Sequence, residues 1–199
     1  MHGRRTERDP PFRKEAGAGS SRPKPPRGPP RRNRMRVLGI DPGTATLGWG
    51  VVEHDGRSGT AVAYGAIRTP STMAMAERLK TLYHELTAVI AEYRPDGVAV
   101  EELFFGHNVR TALSVGQARG VCLLAVAEAA IGLTELKPAQ VKLAVAGYGG
   151  AGKAQVERMV VRLLQLKEPP RPDDVADALA IALTGFEYWR WQAVVGGSS

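Results

Sequence analysis

Cysteine, aromatic residues and long hydrophobic runs are all scarce in this chain of 199 residues. The single cysteine, Cys122, cannot form an internal disulfide or a cysteine-based zinc site. No apolar run reaches the ~18 residues that a membrane-spanning helix needs, and no apolar stretch follows the basic N-terminus as it would in a secretory signal. We therefore expect a reduced, soluble, cytoplasmic protein without a membrane partner.

An excess of positive charge is absent from most of the chain. Residues 1–34 contain 11 Lys and Arg against 3 acids, a net charge of +8, whereas residues 35–199 contain 16 against 17, a net charge of −1. The overall formal charge of +7 is therefore weak support for DNA binding by the folded part.

The proline content of the chain changes at the same position as its charge. Seven of the 14 prolines lie in residues 1–34, which include one aromatic residue, Phe12. Such a segment buries too little apolar surface to offset the entropy of ordering, so we predict a disordered basic tail. It is either an arm that attracts phosphates or an incidental extension before a true start at Met35. We assign residues 35–190 to one folded domain and residues 191–199 to a short C-terminal tail.

The apolar pattern after residue 34 predicts an α/β domain with a mixed sheet. Three strand candidates joined by short turns indicate an antiparallel meander, and two further strands alternate with helices. The predicted strands are 36–40, 47–53, 60–67, 97–100 and 133–136, and the predicted helices are 75–90, about 109–130, 138–146, 156–164 and 173 to about 188.

Two carboxylates follow predicted buried strands. Asp41 ends the run RVLGI and Glu101 ends the run GVAV. A carboxylate in such an apolar setting is costly unless a cation pairs with it, and α/β sheets place their sites at the carboxyl ends of strands. The alternatives are a turn aspartate before Pro42 and an ordinary water-facing acid at the second strand. Glu102 could replace Glu101, but alternation places the two on opposite faces.

Three more acids begin the last predicted helix. Asp174 and Asp177 are about 60° apart around the helix axis, and Asp173 and Asp177 are about 40° apart, so spacing does not choose between Asp173 and Asp174. Helix capping and the helix dipole explain Asp173 and Asp174 without any site, but they do not explain Asp177.

Two strand-end carboxylates and two helix carboxylates could converge on one point. Carboxylates at close range repel one another unless they are protonated or neutralised by a metal ion. Oxygen ligands without His or Cys favour Mg²⁺ or Mn²⁺. A pair of such ions activates water and stabilises the leaving 3′-oxygen in phosphodiester cleavage.

Four segments in this order closely resemble the RuvC family of Holliday junction resolvases, over about residues 35–184. They are GIDPGTATLGWGV, AVEELFFGHNVRTALSVGQARGV, KPAQVKLAVAGYGGAGKAQVERMV and DDVADALAIAL. The resemblance implies an RNase H-like fold, with a mixed five-stranded sheet flanked by helices, and a homodimer. It also implies paired, symmetric nicks in a four-way DNA junction that leave 5′-phosphate and 3′-hydroxyl ends, in homologous recombination and DNA repair.

The resemblance also assigns residues. The catalytic and metal-binding acids are Asp41, Glu101, Asp174 and Asp177, with Mg²⁺ or Mn²⁺ and two ions per active site. The alignment of DVADALA, not geometry, selects Asp174 over Asp173.

The same resemblance implies DNA contacts and a partner. Lys142 and Lys153 match lysines near the DNA backbone, Phe104 matches an aromatic at the exchange point, and Asn108 lies in the same loop. On the residues alone, both lysines could simply be solvated. The family resemblance further implies a complex with a branch-migration helicase.

The sequence also suggests functions other than junction resolution. The run Gly147–Lys153 nearly matches a P-loop. We reject nucleotide binding there, because Ala154 stands where Ser or Thr must bind Mg²⁺ and the preceding segment favours a helix over a strand. The competing functions are a non-catalytic junction-binding module and an RNase H-like nuclease that cuts RNA–DNA hybrids.

Overall fold

The computed structural model describes residues 34–102 and 109–196. The strands are β1 (Met35–Asp41), β2 (Thr46–His54), β3 (Gly59–Arg68), β4 (Gly97–Glu101) and β5 (Gly132–Leu136). The helices are α1 (Met75–Tyr93), α2 (Val109–Glu128), α3 (Pro138–Ala146), α4 (Lys153–Leu163) and α5 (Asp173–Gly196). The predicted order of strands and helices is confirmed.

The five strands form one mixed sheet in the order β3-β2-β1-β4-β5. Strands β1, β2 and β3 pair antiparallel, which confirms the predicted meander. Strands β4 and β5 extend the sheet in parallel from β1, because helical crossovers return the chain to the same sheet edge. The carboxyl ends of β1, β4 and β5 therefore share one edge.

Helices cover both faces of the sheet. Alternation along β1 sends Leu38 and Ile40 into the apolar cluster that includes buried residues of α1 and α2. Val37 faces the second cluster, which includes residues of α3, α4 and α5. Cys122 is fully buried on the α2 side, where burial raises the pKa of its thiol to about 12, as suits a packed core residue and not a nucleophile.

Helix α5 lies directly on the centre of the sheet. A β-carbon on Gly39 would stand 2.0 Å from the carbonyl oxygen of Ala178, so the helix can approach β1 because that residue has no side chain. Val175, Leu179 and Ala182 are buried, as their helical spacing predicts.

The predicted end of the last helix was wrong. Helix α5 continues to Gly196 instead of ending near Tyr188, and it enters the segment that we expected to be a C-terminal tail. The physical reason is that no Gly or Pro stands between Tyr188 and Gly196 to end the helix. The Trp189 ring lies where β-carbons on Gly97 and Gly132 would stand, at 2.7 Å from each position, which holds the helix to the amino ends of β4 and β5. Within the described ranges, no helix is both long and apolar enough to cross a bilayer.

Candidate active site

Asp41 and Glu101 lie side by side at the carboxyl ends of β1 and β4. The parallel register pairs Ile40 with Val100, so the next residue of each strand is the acid. Because Ile40 and Val100 both pack toward α1 and α2, alternation turns both carboxylates toward α5. The predicted juxtaposition of two strand-end acids is therefore present in the structure.

The first turn of α5 brings the helix acids to the same place. Asp41 is the strand partner of Gly48, and a β-carbon on Gly48 would lie 3.0 Å from the β-carbon of Asp174. Asp174 therefore lies over β2, beside Asp41. Asp177 follows one turn later, while Val175 is fully buried on the sheet side of the helix.

Burial and mutual repulsion dominate the electrostatics of these acids. Burial raises the pKa of Asp41 to about 7, and the charges of Asp177, Glu101 and Asp174 add to the rise. The pKa values of Glu101 and Asp177 are also raised, mainly by burial. Glu101 responds to Asp177, and Asp177 responds to Asp174. The four acids thus form one coupled cluster, which we call the acid cluster (Asp41, Glu101, Asp174 and Asp177).

Two lysines face the acid cluster. Lys153, the first residue of α4, places its Nζ atom 3.0 Å from Oδ2 of Asp177. The positive charge of Lys142, on α3, opposes the rise in the pKa of Glu101. Both lysines that the sequence singled out therefore lie near the acids. Phe104 and Asn108 lie outside the described residues.

Sequence reasoning missed Arg119, a largely buried cation on α2. Its Nε donates a hydrogen bond of 3.4 Å to the backbone carbonyl of Glu101, and its guanidinium forms an ion pair with Glu135 of β5. Arg119 thus ties α2 to the strands that end at the acid cluster. Its signal in the sequence was one of the two arginines of α2, and such a position is equally typical of a solvated side chain.

The donor chemistry of the acid cluster fits a hard divalent cation. All four groups supply carboxylate oxygens, which suit Mg²⁺ or Mn²⁺, and their repulsion is what such an ion would relieve. Across residues 34–102 and 109–196, no three Asp, Glu, His or Cys side chains are already arranged as a cation site. The ammonium of Lys153 supplies positive charge beside Asp177.

The glycine-rich segment before Lys153 does not form a P-loop. It follows helix α3, where a P-loop requires a preceding strand, which confirms the sequence-based rejection. Gly147 ends α3 in the left-handed conformation, with φ of 74°, and so allows the chain to turn toward α4.

Comparison with known proteins places the chain in a family. Residues 37–185 match the family model described as crossover junction endodeoxyribonuclease RuvC. The RuvC protein of Heliobacterium modesticaldum is 60% identical over 149 residues, which are 75% of this chain and 92% of that protein. The RuvC protein of Chloroflexus aggregans is 62% identical over 149 residues, which are 75% of this chain and 91% of that protein.

A solved structure shows the same architecture. The structure of Thermus thermophilus RuvC in complex with a Holliday junction substrate has a TM-score of 0.75 and 42% sequence identity, and the match covers 79% of this chain and 96% of that one. The predicted RNase H-like fold is thereby confirmed. By the extent of the family match and the identity to these relatives, the chain belongs to the RuvC family of crossover junction endodeoxyribonucleases.

Proposed function

We propose that the protein resolves Holliday junctions by paired, symmetric, metal-dependent nicks that leave 5′-phosphate and 3′-hydroxyl ends, in homologous recombination and DNA repair. As a member of the RuvC family the chain is an endonuclease. The observation that carries the proposal is the convergence of Asp41, Glu101, Asp174 and Asp177 at one edge of the sheet. Four coupled carboxylates are costly to gather unless the site uses them.

The acid cluster would hold Mg²⁺ or Mn²⁺, two ions per site, with Asp41 as the shared central ligand. When bound, the ions supply an activated water and stabilise the departing 3′-oxygen. Asp41 suits the central position because its carboxylate responds to the charges of all three other acids of the cluster. Its raised pKa means that, without a cation, a proton partly relieves the repulsion.

The side chains around the acid cluster would position the DNA. Lys142 and Lys153 come from two helices that converge on the acids, and an ammonium group is a strong partner for a phosphate oxygen. Phe104 would contact bases at the exchange point, and Asn108 would contact bases or phosphates. These last two assignments rest on the resemblance to the family.

Two equivalent cuts require two equivalent sites, so we propose a homodimer with two-fold symmetry. Helix α2 is suited to the interface because it has two apolar faces. Ala118 and Cys122 are fully buried in the domain, whereas Leu113 and Leu124 are 65% and 52% exposed. Leu113 and Leu124 are eleven residues apart, which places them on the same side of the helix, and large exposed apolar side chains on one helix face suit an association site. By the same family resemblance, a branch-migration helicase would be a partner, and the protein would act in the cytoplasm.

The test is cutting of a synthetic four-way junction with Mg²⁺, with Mn²⁺ and with a chelator, beside a linear duplex and an RNA–DNA hybrid. We expect metal-dependent, paired cuts in the junction alone, and products that ligase can seal. Tight junction binding with no cutting under either metal would favour a binding module. Preferential cutting of the hybrid would contradict the junction as substrate.

A further inference from the structure

Lys153 lies between two carboxylates of α5. Its Nζ atom is 3.0 Å from Oδ2 of Asp177 and 3.7 Å from Oδ2 of Asp173. The two aspartates are four residues apart, so one turn of the helix presents them on the same side. Asp173, which the family resemblance leaves outside the catalytic set, thus shares the ammonium with a member of the acid cluster.

Asp173 is itself held in place from the other side. Its Oδ1 atom accepts a hydrogen bond of 2.5 Å from Arg171, and the other arm of that guanidinium is 3.3 Å from Oε1 of Glu157. Glu157 is largely buried, with 17% of its side chain exposed, and lies one turn after Lys153 on α4. The chain of charges therefore begins and ends on α4 and passes through the start of α5.

A lysine in an acid cluster competes with a divalent cation for the same oxygens. Lysine carries a compact charge on a flexible four-carbon chain, so its ammonium can move between neighbouring carboxylates at little cost. With Asp173 present, Lys153 keeps an ionic partner when it leaves Asp177. Without Asp173, an ammonium that leaves Asp177 loses an ion pair.

We propose that Asp173 is a positioning residue that shares Lys153 with Asp177, so that a divalent cation can take Asp177 while the ammonium stays beside the site of cutting. The inference rests on the proposed metal-dependent function. It assigns Asp173 no contact with DNA or metal and predicts that its effect on metal binding passes through Lys153.

A double-mutant cycle tests this dependence. Asp173→Asn and Lys153→Met are made singly and together in the full chain, and Mn²⁺ affinity is measured by calorimetry without DNA. Asp173→Asn is expected to weaken Mn²⁺ binding by about two- to fivefold, the effect of one exposed ion pair. Lys153→Met is expected to strengthen binding, and Asp173→Asn should then have no further effect. Asp173→Glu should restore most of the affinity.

The control is Glu168→Gln, which removes the same charge from an exposed position between α4 and α5. Equal weakening by Asp173→Asn with and without Lys153 would show a plain loss of negative charge and overturn the inference. No weakening in either background would also overturn it, as would an absence of Mn²⁺ binding by the unsubstituted chain. Coupled Mn²⁺ binding without any junction cutting would leave the inference standing and contradict the proposed function.

Discussion

The backbone carbonyl oxygen of Asp174 lies 2.0 Å from the point at which a β-carbon on Gly48 would stand. Gly48 is the strand partner of Asp41, so this contact sets the distance between a strand acid and a helix acid of the acid cluster. Helix α5 can begin directly over the sheet because β2 has no side chain at that position.

Gly48→Ala is therefore expected to displace the start of α5. We predict a loss of about 1–3 kcal/mol in the free energy of unfolding, typical of overpacking, and a fall in cutting of about 10²-fold from a displacement near 1 Å. Urea denaturation and junction nicking measure the two effects. The control for the unfolding measurement is Gly120→Ala, where a β-carbon meets nothing within 4 Å and helix propensity should add about 0.4–1 kcal/mol of stability. Unchanged cutting by Gly48→Ala would show that the position of α5 does not depend on this contact.

Asp41→Asn should separate binding from cutting. The amide keeps the size of the side chain but removes the charge that the proposed metal site needs. A loss of about 4 kcal/mol of transition-state stabilisation would reduce the rate by ~10³. Gel shift should show junction affinity within a few fold of the unsubstituted protein, because DNA contacts are assigned to other residues. Glu85→Gln, on the exposed face of α1, is the matched control. Normal cutting by Asp41→Asn would mean that the acid cluster is not the catalytic site.

The raised pKa of Asp41 also predicts how stability depends on pH. The folded state holds a proton on this group up to about pH 7, whereas the unfolded chain loses it near pH 3.8. The metal-free protein should therefore be most stable below pH 4, as far as this group contributes, and should lose that stability as the pH rises through 7.

Asp41→Asn removes this titration. In the presence of chelator, the free energy of unfolding of the variant should fall less steeply as the pH rises. At pH 8 the variant should be more stable than the parent by on the order of 2–4 kcal/mol. Part of the decline should persist, because the pKa values of Glu101 and Asp177 are raised as well. Denaturation at pH 5 and pH 8 provides the comparison. If the stability of parent and variant changed with pH in the same way, the pKa of Asp41 would not be raised in the folded protein.

Local sequence patterns were sufficient to predict most of the architecture. The apolar runs before Asp41 and Glu101 predicted two buried strands. The parallel direction of β1 and β4 follows because helix α1 connects β4 to β3, which itself runs parallel to β1. The spacing of Val175 and Leu179 is by itself enough to predict the buried face of α5, where both side chains are fully buried. These features depend on residues close together in the sequence.

The remaining features depend on contacts between distant residues. The packing of Trp189 in the space left by Gly97 and Gly132 was missed, because no local pattern reveals it. Helical spacing could not separate Asp173 from Asp174. In the structure, Asp174 lies over Gly48 on the sheet, whereas Asp173 lies toward Arg171 and Lys153.

The basic N-terminal segment gives the last prediction, which concerns DNA affinity. Residues 1–33 contain ten Lys and Arg, whereas the chain after residue 34 is nearly neutral. Deletion of these residues should weaken junction binding mainly at low salt. The slope of the logarithm of the binding constant against the logarithm of the salt concentration should become shallower by several units, because fewer counterions are released. Arg34 is retained, since its guanidinium donates a hydrogen bond of 2.8 Å to Glu53. A second variant with the ten basic residues changed to Gln controls for length and should behave like the deletion. A loss of affinity that is independent of salt would indicate an arm that makes specific contacts, and no loss at any salt would identify the segment as an incidental extension.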